Sequence, residues 1–465
     1  MTTILGSLNL LLCMLVIKQA VKSWLSTCLI LPLCISLIFY TLWPISEQIY
    51  FGVVPLQGTE LSEQSLWELG SLNLMTLLSA LSFAFLLNKF SSSTKPEFSR
   101  QTLSPSGSHG NFGTFGLLFL GIAGLLYSTD FAPNRLSDYE ENMVASYFSV
   151  WIPISKALIS YACALRFLQL VSQRTEGDFI RLPLILLWPR TVFWFSIPCF
   201  LAVLTSDKDP FLPLASAVLY LLAPSTKRLH AIPFTACVLA GCLFSQFCLL
   251  YFSVIRGGGN FEDLLARLRQ NDSAIISITA SDPGGPYVSL SHQFNLGLPD
   301  SFKFELVERL LSIVPQHFLD SKRPDTLDTA YAKFMMQRFD AGNGLGFHPL
   351  AQASLDFGIW LSWTYLSLIF VFGFLPLFIV TRFSKDNTLI MLLGLIVSSA
   401  FIISHRMPIE STFKSVFTYT LLLTPAYLVS RFICEIVSDL FRSSISIPIG
   451  VSENSGGSRA SQSTL

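Results

Sequence analysis

Long apolar runs separated by short polar stretches fill the first half of the chain and return near its end. A bilayer core of roughly 30 Å is crossed by about 20 apolar helical residues. Clear runs of this kind stand at 24–43, 72–87, 112–127, 231–254, 357–381, 389–404 and 416–430. Weaker ones stand at 3–17, 146–166, 191–205 and 211–222. Together they predict an all-α polytopic integral membrane protein with about eleven transmembrane helices. The stretch 180–205 has two readings: Pro189 and Arg190 break it, or it is one tilted span entered through an interfacial segment. The first run lacks a basic segment ahead of it, and Lys18 and Lys22 follow it, so it reads as a span and not a signal peptide.

Charge then orients the bundle. Lys18 and Lys22, then Lys89, Lys95 and Arg100, then Arg174 and Arg181, then Lys227 and Arg228, then Arg382 and Lys385 fall in every second connection. The connections between them are acidic or mixed, with Glu47, Glu60, Glu63 and Glu68 in one and Asp130, Asp138, Glu140 and Glu141 beside a lone Arg135 in the next. Basic connections stay on the cytoplasmic side. The alternation predicts an external amino terminus and a cytoplasmic carboxyl terminus. One outer connection breaks it, with Arg406 and Lys414 against Glu410. The organisation expected is a bundle over 1–255 with about eight spans, a large external loop over 256–356, about three spans over 357–442, and a disordered Ser- and Gly-rich tail over 443–465.

Composition agrees. The chain is 51% hydrophobic and 13% charged, against roughly 25% charged in soluble domains. Zero net charge gives no electrostatic case for nucleic acid. All nine cysteines lie in or beside apolar stretches without a CxxC pair, as small packing residues do. Walker, zinc and nucleophile-elbow motifs are absent, and the first outer connection has no DxD or ExD pair, so neither a metal nor a cofactor is expected.

The loop 256–356 does not read as disordered. Helical periodicity runs over 260–270 and 301–318, where Phe304, Val307, Leu311 and Val314 share a face. Pro324, Asp325 and Asp328 predict a further helix start, running to about Phe339. Gly342, Gly344 and Gly346 then give a pliable re-entry to the next span.

Several charges stand out. Lys208 in a short outer turn, Arg256 before three glycines, Arg135 in an acidic connection and Lys322-Arg323 before Pro324 all fall on the external side. Such cations suit a lipid phosphate or pyrophosphate, whose oxygens accept charge-assisted hydrogen bonds. The competing reading is that they snorkel to anchor span ends. Lys156 lies inside an apolar run, where an ionisable group is a functional candidate, unless the span begins after it. His348 is the candidate general base, since imidazole titrates near neutrality. Asp356 follows at the mouth of the next span, placed to orient His348 or to mark the interface.

Residues Leu310 to Pro315, Lys322-Arg323-Pro324, Gly344 to Pro349 and Phe357-Gly358 together resemble the Wzy-type oligosaccharide repeat-unit polymerases, in particular the enterobacterial-common-antigen branch. The resemblance covers the organisation of most of 135–379. The related O-antigen ligases carry a His, an acidic residue and Gly at the same re-entry, which His348, Asp356 and Gly358 are similar to; Pro349 stands where those ligases have Asn. The resemblance implies a GT-C-like fold. It also implies a polyprenyl-pyrophosphate-linked oligosaccharide substrate in a bacterial inner membrane, a chain-length regulator and a flippase as partners, and metal-independent glycosyl transfer. Lys208, Arg256 and Arg135 would then bind pyrophosphate, Arg323 would serve the second lipid-linked substrate or the glycan, and His348 would act as base. An O-antigen ligase and a flippase or other transporter are the competing readings. No internal repeat speaks for the transporter.

Overall fold

The computed structural model describes residues 2–52, 60–93, 109–128, 151–174, 188–205, 209–222, 262–263, 265–266, 284–303, 311, 325–336, 346–384 and 386–445. Among them every regular element is helical. Seven helical stretches are long and apolar enough to cross a membrane: Thr2–Ala20, Trp24–Phe51, Glu63–Phe90, Trp151–Val171, Ile359–Phe383, Asn387–Arg406 and Ile409–Val437. Gly113–Ser128 and Phe211–Tyr220 are shorter apolar helices. The expected run 231–254 lies outside the described residues.

We name the helices α1 (Thr2–Ala20), α2 (Trp24–Leu37), α3 (Trp43–Phe51), α4 (Glu63–Ser93), α5 (His109–Ser128), α6 (Trp151–Arg174), α7 (Pro189–Leu204) and α8 (Phe211–Leu222). They continue as α9 (Gly284–Asn295), α10 (Leu327–Met336), α11 (Pro349–Phe357), α12 (Tyr365–Phe383), α13 (Asn387–Ile402) and α14 (Ile409–Ile445). In the ambiguous stretch 180–205, a helix starts at Pro189, and 180–187 lie outside the described residues. Pro189 opens α7 at a position whose N–H has no helical partner, and the Trp188 carbonyl accepts the Val192 N–H at 2.9 Å.

Two helices form the centre. α2 packs on α1, α4, α8 and α13, and α13 packs on α2, α6, α8, α12 and α14. A helix apolar on every face belongs in such a surround. The Asn387–Arg406 window is 89% buried inside the protein, whereas the Ile409–Val437 window is 18% buried, which puts α14 at the perimeter with Phe417, Leu421, Val429 and Phe432 facing outward. Small residues let neighbours approach: α5 turns Gly113 and Gly116 toward Tyr427 and Ser430 of α14, and Gly121 and Gly124 toward Ile159 and Ser155 of α6.

The polar loop departs from expectation in detail. α9, with sequence GGPYVSLSHQFN, lies where no helix is expected. Asp300–Phe302 is a single 3-10 turn followed by extended Lys303; of the helix expected over 301–318, 304–310 and 312–318 lie outside the described residues and Leu311 is helical. α10 falls inside the expected 324–339 helix, with the Thr326 carbonyl accepting the Ala330 N–H at 2.9 Å. The span expected from 357 instead starts with Gly358 at φ 78° and a 3-10 segment, Ile359–Thr364, before α12.

Candidate functional site

At one end of the bundle α9 and α11 fold in over the turn Ser404–Arg406, which joins α13 to α14. The tail of α2 comes up beneath them. There Ile38–Leu42 forms one π-helical turn between α2 and α3, a wide turn that recurs at functional sites.

His348 is the hinge of this end. Gly346 adopts φ 74°, and a Cβ there would lie 2.7 Å from the Arg406 carbonyl oxygen, so the close approach requires glycine. The next residue, Phe347, donates its N–H to that same carbonyl at 3.1 Å. His348 then caps α11: its Nδ1 accepts the Leu350 N–H at 3.1 Å, ahead of Pro349 at the first helical position. Its own N–H donates to Ser289 Oγ of α9 at 2.9 Å. With Nδ1 an acceptor, the ring proton sits on Nε2, which donates to Thr41 Oγ1 at 2.8 Å. The residue is wholly buried, and burial, followed by the neighbouring His405, holds its pKa well below the ordinary imidazole range.

A second histidine completes the centre. The His405 ring lies 5.5 Å from that of His348, centroid to centroid. Its Nε2 meets the Tyr365 hydroxyl at 2.7 Å, its Nδ1 meets Ser404 Oγ at 3.2 Å, and its backbone N–H donates to Ser36 Oγ at 3.0 Å. Next to it, Gln352 of α11 donates to Glu410 Oε2 at 2.6 Å and accepts the Ile409 N–H at 2.8 Å. α9 is strapped on by Tyr287, which donates to Gln48 Oε1, and by Ser65, which donates to the Phe294 carbonyl at 3.1 Å. Buried polar groups in so apolar a surround are costly unless paired, and these side chains pair one another.

The expected site residues divide sharply. Lys208, Arg256, Arg135, Lys322 and Arg323 lie outside the described residues. Lys156 is half-buried in the second turn of α6 and is engaged there. Asp356 does not orient His348. It sits in the last turn of α11 while His348 caps the first, and eight residues of helix separate them by about 12 Å along the axis. His348 is not an open base either, since both ring nitrogens and the backbone N–H are engaged.

Sequence reading missed Thr41, His405, Tyr365, Gln352 and α9. One signal was present: the connection holding Arg406, Lys414 and Glu410, which breaks the charge alternation, is the one folded against Gly346 and Phe347. The start of α8 reaches the same end. Tyr220 packs on Trp24 at 5.6 Å and Ser216 meets Ser399 at 3.0 Å, so α8 runs antiparallel to α13 and begins, at Phe211, level with the His405 turn. Comparison with protein-family models, curated proteins and solved structures finds no match to this chain.

Proposed function

We propose that this chain polymerises lipid-linked oligosaccharide repeat units at the outer face of a bacterial inner membrane. The observation that carries the reading is the closed polar end of an otherwise apolar bundle. There α9, α11 and the Ser404–Arg406 turn cover paired histidines, and there α8 begins. Lys208 precedes α8 by three positions in the chain, and Arg256 and Arg323 belong to the segments flanking α9. In this reading the chain has about eleven spans in a GT-C-like arrangement, with an external amino terminus and a cytoplasmic carboxyl terminus.

The chemistry is a displacement at an anomeric carbon. A hydroxyl oxygen of the acceptor repeat forms the new glycosidic bond. The bond from that carbon to the pyrophosphate oxygen breaks, and the electron pair leaves with polyprenyl pyrophosphate. Negative charge grows on the leaving group, so fixed cations at Lys208, Arg256 and Arg135 lower the barrier more than a strong acid would. Arg323 holds the second substrate in line. The acceptor's proton passes to a base, and His348 can take that part only when α11 lifts off Thr41 and frees Nε2, with the ring proton relocated.

The test is the banding of surface glycan. Lys208→Ala and Arg256→Ala are expected to insert normally yet leave single-repeat glycan in place of a ladder. Normal ladders in both variants overturn the assignment.

A further inference from the structure

Behind the π-helical turn, α1, α3 and α4 line a pocket of about 30 Å³ that opens past the exposed Leu10 and Tyr50. Two buried amides look into it. Asn9 of α1 donates its Nδ2–H to the Gly70 carbonyl, at 2.9 Å, and its Oδ1 has no hydrogen-bond partner among the described residues. Asn73 of α4, one turn beyond Gly70, is 0% exposed, and neither its Nδ2 nor its Oδ1 has a partner among the described residues. Gly70 makes this approach possible, because a Cβ there would lie 2.7 Å from Leu5. Both helices are long and apolar enough to cross a membrane, where an unsatisfied polar atom finds no bulk water to pair with.

We propose that this cavity is a binding site for one or two water molecules that bridge Asn9 and Asn73. Three features fix the ligand. It must both donate and accept, because the orphaned atoms are one N–H₂ group and two carbonyl oxygens. It must be uncharged, because no charged side chain among the described residues lines the cavity. It is small, because the volume suits one or two waters, each of which needs about 10–15 Å³. The cavity wall includes Leu42, the residue after Thr41, so the water site backs the turn that holds His348. This inference is independent of the polymerase reading.

Hydroxyl-radical footprinting of the full chain in phosphatidylcholine nanodiscs tests it, with rapid mixing into H₂¹⁸O. Leu42 and Ile45 are buried, yet both are expected to be oxidised by radicals formed at the bound water, with ¹⁸O appearing only after a lag. Asn73→Leu should abolish that labelling, and Asn73→Ser, which keeps a hydroxyl and a roomier cavity, should retain it. Should the leucine variant fail to insert, the wild type and Asn73→Ser decide alone. Absence of labelling at Leu42 and Ile45 in both means the cavity is dry or filled by lipid, and overturns the proposal.

Discussion

Thr41 and His348 are 307 residues apart in the chain and share a buried 2.8 Å hydrogen bond. One sits in the single π-helical turn of the described bundle; the other caps the helix that closes over it. The bond therefore fastens the polar roof to the apolar bundle. Thr41→Val keeps the shape and removes the acceptor, leaving a buried ring N–H unsatisfied at a cost of about 1–3 kcal/mol. Thermal unfolding in detergent should show a lower Tm for Thr41→Val and a near-normal one for Thr41→Ser. Equal Tm values for the two variants would mean the bond carries nothing.

Gly346 and Gly297 separate two costs that are usually mixed. Both have positive φ, 74° and 72°, but only Gly346 faces a close neighbour, the Arg406 carbonyl. Gly297→Ala should cost only the left-handed backbone term of about 1–2 kcal/mol. Gly346→Ala should cost clearly more, and loosen α11 from the Ser404–Arg406 turn. Limited proteolysis of the segment before α11 would register that loosening.

Acid should weaken the fold through His348. Its folded pKa lies well below the ordinary 6.5, so beneath pH 6.5 the unfolded chain takes up a proton that the folded chain refuses. Stability is complete above that pH and falls as pH drops toward the folded value, by at most about 1.4 kcal/mol per pH unit for this one group. His348→Gln should flatten the fall between pH 6.5 and pH 5 in a Tm series. An unchanged slope would place the titrating group elsewhere.

Close helix packing gives the most severe prediction. A side chain at Gly116 would run into Ser430 across the α5–α14 contact. Gly116→Val should force the two helices apart and reduce the amount of folded protein recovered after extraction. Ser430→Gly in the same chain should restore part of it, because it returns the space. No rescue would point to α5 itself, and not its contact, as the damaged element.

The helix positions were largely legible because the bilayer is a demanding solvent. A run such as 211–222 has no stable alternative in hydrocarbon, and α8 occupies that run at both ends. The loop was less legible for the converse reason. GGPYVSLSHQFN carries Gly, Pro and Ser in the manner of a turn, and it is helical in a setting where Tyr287, Val288, Ser289 and Leu290 are buried between α11 and the π-helical turn. Local propensity is a weak prior that such burial overrides.

The candidate site shows the same division. His348 was visible as an isolated titratable residue beside a proline, and its neighbours were not. Thr41 and Tyr365 lie in apolar runs, where a single polar residue leaves the hydropathy pattern nearly unchanged, and His405 stands just past the run 389–404, beside Arg406.

The sequence by itself determined which stretches must be helical and apolar, and how charge alternates between them, because length and hydropathy act locally along the chain. Only the tertiary structure decided that His348 meets Thr41, that His405 meets Tyr365, and that Asp356 stands at the far end of α11 from His348. Those pairings depend on how helices rotate and approach one another. That is set by the summed packing of glycines, π-helical turns and neighbouring faces, and no single run of residues carries it.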